Sequence, residues 1–178
     1  TVKYLKPIQI IFRIKYLFRL KTFNTSTRIL KLRSLRGLFE FPLIKDKSLS
    51  IFNDRFVFNF LNISKTFKKI EWIPQGLPKL WIYNLHYFDY LNSKHASEDA
   101  NIQKEVICEW IKHNTCHSGP GWDPYPTSLR IVNWCRYFIN NDIDDDFFIK
   151  SLSKQGRFLC KNLEYHILGN HLFANAKA

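Results

Sequence analysis

Methionine is absent from the 178 residues, and the chain begins at Thr1. We therefore expect the sequence to be an internal piece of a longer protein. Its four cysteines form no Cys-x-x-Cys pair, which excludes the common zinc-finger and zinc-ribbon patterns. No apolar run is long enough for a transmembrane span, and basic residues interrupt the one stretch that resembles a secretory signal.

Acidic residues are absent before Glu40, although ten lysines and arginines precede it. The remaining residues hold 17 basic against 15 acidic side chains, so the N-terminal segment carries most of the net charge of +12. Such a segment suits an anionic lipid surface, a nucleic acid or an acidic polymer. The simpler interpretation is a solvated basic face on a docking helix. We expect no nucleic-acid partner, and peripheral membrane contact by residues 1–36 stays open.

Apolar and aromatic residues make up 46% and 16% of the chain, which is ample for a sizeable core. We interpret residues 1–70 as a basic, apolar lead-in of helical or mixed structure, with a short hairpin around Asn53-Asp54. From residue 71 onward the pattern predicts an all-α segment of antiparallel helical hairpins. The apolar stripes of its helices span residues 102–111, 131–139 and 148–163.

Local signals give provisional ends to these helices. Thr127 or Ser128 is a suitable N-cap for the second, and Gly169 has the freedom to end the third in a left-handed conformation. An acidic loop over residues 140–146 suits the positive end of a helix dipole, so we expect the third helix to begin there.

The loop at 119–130 is rich in glycine and proline and leads to Arg130. Its rigid backbone fixes Trp122 and Tyr125. Stiff aromatic side chains beside a cation suit a sugar ring that bears a carboxylate or sulfate, because the ring packs on the aromatic face while the guanidinium holds the anion. An inter-helix connector whose aromatic residues fill the core explains the same composition equally well.

Asn170 and His171 follow Gly169 at a helix junction. The asparagine amide donates two N–H bonds, and the histidine can donate or accept a proton near neutral pH. Together they are able to hold an anion and move a proton. A helix cap with a hydrogen-bonded histidine is the commoner explanation for such a pair.

Three segments in this order resemble the N-terminal domain of the bacterial heparinase II/III-like polysaccharide lyases, which include heparin-sulfate lyase and alginate lyases. The segments are LWIYNLHYFDYL at 80–91, GPGWDPYPTSLRIVNWCRYF at 119–138 and LEYHILGNHLFANAKA at 163–178. The resemblance implies that residues 71–178 begin an incomplete (α/α) toroid. The family's C-terminal β-sandwich is absent from this sequence.

The resemblance also implies β-elimination on a uronic-acid polysaccharide, with Asn170 as the residue that neutralises the C5 carboxylate. His171 corresponds to a histidine that transfers protons in some alginate-cleaving relatives. The family's catalytic tyrosine comes from a later helix and a further histidine from the β-sandwich, so we expect this chain alone to be inactive. We expect Trp122, Tyr125 and Arg130 to contact substrate, followed by Asn84 and His86, although each has bracing of the toroid as its alternative role.

This chemistry requires no metal or organic cofactor. Thiols and imidazoles do cluster in one stretch, but their spacing matches no common metal site; they are Cys108, His113, Cys116 and His117. The runner-up function is a non-catalytic glycan-binding or scaffold module of an envelope or capsule system. The family resemblance favours a periplasmic or secreted protein, while the cysteines fit a cytoplasmic one equally well.

Overall fold

The structure is a computed structural model of the chain. It describes residues 4–18, 41–43, 49–52, 55–93, 100–114 and 119–178. Residues 19–40, which include six of the ten basic side chains that precede Glu40, therefore lie outside the described part.

A three-stranded antiparallel sheet precedes most of the helices, with the strand order β1-β2-β3. The strands are β1 (Leu49–Phe52), β2 (Arg55–Phe60) and β3 (Ile63–Phe67). Pairing of β1 with β2 confirms the predicted hairpin, although its turn residues 53 and 54 lie outside the described residues. The sheet lies within residues 1–70, for which we expect helical or mixed structure, and its alternating aromatic residues pair as strands. The described part of the chain is therefore mostly helical but not all-α.

Six helices make up most of the remaining described structure. They are α1 (Pro7–Phe18), α2 (Lys79–Tyr87), α3 (Ala100–His113), α4 (Pro124–Asn140), α5 (Asp146–Lys161) and α6 (Gly169–Lys177). Helices α3, α4 and α5 confirm the three predicted apolar stripes. None of the helices in the described ranges is long and apolar enough to cross a membrane.

The start of α4 differs from the prediction. Asp123 occupies the N-cap position and Pro124 the first helical position, so Thr127 and Ser128 lie inside the helix. Proline suits this first position because its fixed φ is already helical and it has no N–H to leave unpaired. The hydroxyl of Ser128 instead donates to the carbonyl of Pro124, 2.8 Å away.

The acidic loop enters α5 as expected, and the Asp145 carboxylate caps the helix by accepting from the N–H of Phe147 at 2.7 Å. The far end of α5 was predicted wrongly, because the helix stops at Lys161 instead of continuing toward Gly169. Gly169 does take a left-handed φ of 56°, yet it begins α6.

Aromatic side chains dominate the core. Phe88 meets Trp134 edge to face, with ring centroids 5.3 Å apart, and Trp110 meets Trp134 in the same way at 5.5 Å. Phenylalanines of β2 and β3 belong to the same buried cluster. The Trp81 indole donates to the carbonyl of Ile63 at 2.9 Å, which ties α2 to β3. The sheet and the helices therefore share one core, and a domain boundary near residue 70 stays a prediction.

Arg130 lies fully buried at the centre of the helical part. Its Nε donates to Gln155 Oε1 at 2.7 Å, and its Nη1 donates to the carbonyls of Gly121 at 2.8 Å and His86 at 3.3 Å. Because these partners belong to α5, the loop before α4 and the last turn of α2, one guanidinium links three segments to α4.

The charge of Arg130 is offset by rings and neutral acceptors. Its guanidinium carbon lies 3.9 Å from the centre of the Trp110 ring and 5.8 Å from that of Trp122. No carboxylate among the described residues pairs with it. Burial consequently lowers the pKa of Arg130 well below its usual range.

Gly121 packs against this centre so closely that a larger residue does not fit. A Cβ atom there would lie 2.7 Å from two atoms of the buried His86 ring. We therefore predict that Gly121→Ala lowers the free energy of unfolding by about 1–3 kcal/mol, as overpacking does. Urea denaturation is the measurement.

Gly156 provides the matched control, since it lies inside α5 and a Cβ atom there meets nothing within 4 Å. Gly156→Ala should stabilise the protein by about 0.5–1 kcal/mol through helix propensity alone. Equal effects of the two substitutions would contradict the close packing at Gly121.

Candidate functional site

The junction before α6 has a strained backbone. Leu168 has φ 64° and ψ −157°, and Gly169 follows with φ 56°. A non-glycine residue in this region costs about 1–3 kcal/mol and persists only where the surrounding packing enforces it. Directly after this junction, Asn170 lies exposed in the first turn of α6.

His171 pairs with a buried carboxylate. Its Nδ1 lies 2.9 Å from Glu164 Oε1, and the two side chains are 35% and 6% exposed respectively. Because an ionised carboxylate only accepts hydrogen bonds, Nδ1 is the donor. The imidazole is therefore held from the protein interior while part of the ring stays open to solvent.

Asn175 fixes Glu164 from two sides. Its Oδ1 accepts from the Glu164 backbone N–H at 2.8 Å, and its Nδ2 donates to Glu164 Oε2 at 3.2 Å. The same Nδ2 donates to the Ser128 hydroxyl at 2.8 Å. Glu164 and Asn175 are both buried, so this network ties α6 and the segment before it to α4.

Three tyrosine rings, of which that of Tyr87 is buried, lie in a row from His171 along α4 and α2. The Tyr125 ring lies 4.5 Å from the imidazole, the Tyr87 ring 6.0 Å from Tyr125, and the Tyr83 ring 6.4 Å from Tyr87. The Tyr83 hydroxyl donates to the Asp123 carboxylate. Burial first, and neighbouring groups second, raise the pKa of Tyr83 and of Tyr87, so both hydroxyls stay protonated donors.

Among the residues singled out from the sequence, the structure brings together Asn170, His171 and Tyr125. Asn84 is half buried on α2 and donates its amide to the carbonyl of Leu80 in the same helix, 2.8 Å away. Its side chain is therefore engaged within α2.

Trp122 and Arg130 lie in the interior. The Trp122 indole is 4% exposed and donates to the carbonyl of Asn114 at 2.7 Å. Arg130 is fully buried, with its donors directed at protein acceptors. Their burial favours the bracing role over contact with substrate.

His86 is likewise part of the core, with no exposed surface. Its Nδ1 accepts from the Trp110 indole at 2.9 Å, which leaves Nε2 to donate to the Trp72 carbonyl at 3.0 Å. Burial, assisted by the nearby charge of Arg130, lowers the pKa of His86 from 6.5 to about 3. The neutral imidazole of His86, with one hydrogen bond at each ring nitrogen, braces α2 against α3.

Sequence reasoning missed Glu164, Asn175 and Ser128, which hold His171 in place. One signal was available, because Glu164 is the only acid in the motif at 163–178. Glu164 is held by Asn175, and Asn175 in turn donates to Ser128, which lies on α4 and is remote in sequence. No local pattern reports such a contact.

A groove separates α1 from the segment that follows α5. It has a volume of about 350 Å³, and its lining includes Lys15 and Lys161. The Tyr16 ring stacks on His166 with centroids 4.6 Å apart, and Phe12 lies 4.7 Å from the Tyr165 ring. Among the described residues, none that lines this groove is acidic.

The predicted thiol and imidazole cluster is only partly visible, since Cys116 and His117 lie outside the described residues. His113 donates from Nδ1 to the Glu109 carbonyl at 2.9 Å, within α3. Within the described ranges, no three histidine, cysteine or acidic residues are grouped to hold a metal ion.

Comparison with known proteins identifies no relative: no family model, no curated protein and no solved structure matches the chain.

The pKa of His86 generates a prediction about stability. Below its ordinary pKa of 6.5 the unfolded chain binds a proton that native His86, with a pKa of about 3, does not bind. Native stability should therefore fall as the pH is lowered, by up to about 1.4 kcal/mol per pH unit for this group. Urea denaturation from pH 6.5 down to about 5 measures the slope, above the range in which most carboxylates titrate.

Ring resonances of His86 in NMR spectra attribute the slope to this residue, because the partly buried His166 has its pKa lowered by burial as well. We expect no titration of His86 across the same range. Protonation of the His86 ring in the native state near pH 6.5 would contradict the assignment.

Proposed function

We propose that this chain forms the first part of the catalytic toroid of a lyase that cleaves uronic-acid polysaccharides by β-elimination. The observation that carries the proposal is the exposed Asn170 beside His171, whose ring is held by the buried Glu164 and packed on Tyr125. The resemblance of the three sequence motifs supports the same reaction.

The reaction breaks the C4–O4 bond and forms a C4–C5 double bond. A base removes the proton from C5, the electron pair becomes the new double bond, and O4 departs with the C4–O4 pair and is protonated. The C5 proton is weakly acidic while its carboxylate is ionised. Hydrogen bonds that strengthen as charge moves onto the carboxylate lower the barrier selectively.

Asn170 has the chemistry and the position for this step. Its amide donates without titrating, and its exposure at the start of α6 makes it accessible to a polymer. His171 supplies an adjacent imidazole, the side chain that most often serves as a general base or acid in enzymes. Tyr125 covers one side of the imidazole and limits the ring's orientations.

In the full-length lyase that this proposal predicts, we expect Asn170→Ala to lower kcat about 10²–10³-fold, the loss typical of one oxyanion-type donor. The free energy of unfolding should change little, because the residue is exposed. Release of unsaturated uronide, followed by ultraviolet absorbance, measures turnover.

Asn141→Ala is the matched control, since Asn141 is likewise exposed and its amide donates to the carbonyl of Tyr137 at the end of α4. This variant should retain turnover. A fully active Asn170→Ala enzyme would refute the assigned role of Asn170.

The groove beside α1 favours a second candidate, a glycan-binding module without catalysis. Its aromatic rings and Lys15 suit an anionic sugar, and the described residues of its lining include no acid. In this alternative the Asn170 face is not the binding surface.

Binding of an alginate oligosaccharide distinguishes the two candidates. If the groove is the site, Lys15→Glu weakens binding at least tenfold and Asn170→Ala leaves it unchanged. Lys65→Glu, the same charge change at an exposed position of β3, controls for net charge. The lyase proposal predicts the opposite order of effects, with Asn170→Ala the more damaging.

A further inference from the structure

We propose that Glu164 is a positioning residue that holds neutral His171 in one tautomer, with the proton on Nδ1 and the lone pair on Nε2. The geometry behind this inference is the 2.9 Å contact between His171 Nδ1 and Glu164 Oε1. A neutral imidazole carries a single N–H, and a carboxylate accepts but does not donate. The proton therefore resides on Nδ1, which leaves Nε2 as the proton-accepting atom.

Glu164 is suited to this role because it cannot turn away. Oε1 is engaged by His171 and Oε2 by Asn175, and the backbone N–H of Glu164 donates to Asn175 Oδ1. The Ser128 hydroxyl oxygen accepts a hydrogen bond from the Asn175 amide, and the same hydroxyl donates to the carbonyl of Pro124. Both carboxylate oxygens thus accept a hydrogen bond, and the Asn175 amide that holds Oε2 is itself anchored to α4 through Ser128.

A purely structural role does not account for this arrangement. The N-cap residue of α6 is Leu168, which forms no side-chain capping bond. The oxygens of Glu164 accept from the side chains of His171 and Asn175. Among the described residues, the only ion-pair partner of Glu164 is His171, whose side chain is partly exposed to solvent. Burying a carboxylate is costly, and here its oxygens are directed at two side chains of α6.

A second Glu–His pair, Glu109 and His113, shows how a histidine is held when the carboxylate is not its main partner. These residues are four apart on α3, and the carboxylate lies 3.5 Å from Nδ1. There the shorter contact of Nδ1, 2.9 Å, is with the backbone carbonyl of Glu109. Helix geometry therefore positions His113 without its carboxylate, whereas His171 depends on the Glu164 side chain.

The consequence for catalysis rests on the proposed function. With the lone pair on Nε2, His171 takes the C5 proton on that atom while the C5 electron pair forms the C4–C5 double bond. The C4–O4 bond breaks, and O4 leaves with its electron pair and is protonated. Glu164 then stabilises the imidazolium, as the carboxylate does in a Ser-His-Asp triad. In the full-length lyase we expect Glu164→Gln to lower kcat about 10²-fold or more with little change in KM.

The tautomer is measurable in this chain without any catalysis. Ring ¹⁵N chemical shifts, recorded at about pH 9 where an ordinary imidazole is neutral, separate protonated from unprotonated nitrogens. For the native chain we expect His171 to carry its proton on Nδ1. An amide both donates and accepts, so Glu164→Gln should remove this preference and give a mixture of tautomers. Glu109→Gln, the matched control, should leave the shifts of both His113 and His171 unchanged.

A native His171 protonated on Nε2, or an even mixture of tautomers, would overturn the inference even if the variant failed to fold. That result would leave the role of Asn170 intact. Conversely, an Nδ1–H tautomer in a protein without lyase activity would uphold the positioning role and refute the proposed function.

Discussion

The burial of Arg130 is the interaction on which the helical packing depends. A guanidinium removed from water needs its donors satisfied, and here they bind Gln155 and the carbonyls of Gly121 and His86. These acceptors belong to α5, the segment before α4 and α2, so the guanidinium holds three separate segments together. The indole of Trp110 covers the guanidinium, so the aromatic core and the hydrogen-bond network are a single structure.

Helix α4 connects that centre to the candidate site. Arg130 extends from α4 into the core, while Tyr125 and Ser128, less than two turns earlier, contact the α6 side. The position of Glu164 relative to His171 therefore depends on how α4 is held. A surface histidine obtains a fixed orientation because the helix behind it is anchored by a buried charge.

Periodicity predicted α3, α4 and α5 well, because an apolar stripe is a local property. It missed β3, whose turn is Leu61-Asn62 with both φ values positive and lacks the usual glycine. The residue types around Arg130 could not show whether it is buried or exposed. A cation beside aromatic rings is equally suited to bracing the core and to binding an anionic sugar at the surface. Glu164 was missed because its contacts with His171 and Asn175 cross a non-helical junction, which no helical periodicity describes, and Asn175 is itself held by Ser128 of α4.

If the proposed function is correct, the exposed face of Asn170 and His171 binds a uronate carboxylate. Titrating the ¹⁵N-labelled chain with an alginate oligosaccharide and mapping the NMR shift changes tests it most directly. The account predicts that the largest changes fall on the Asn170 side-chain amide and the His171 ring. Changes confined to the α1 groove, or no changes at saturating sugar, would contradict it.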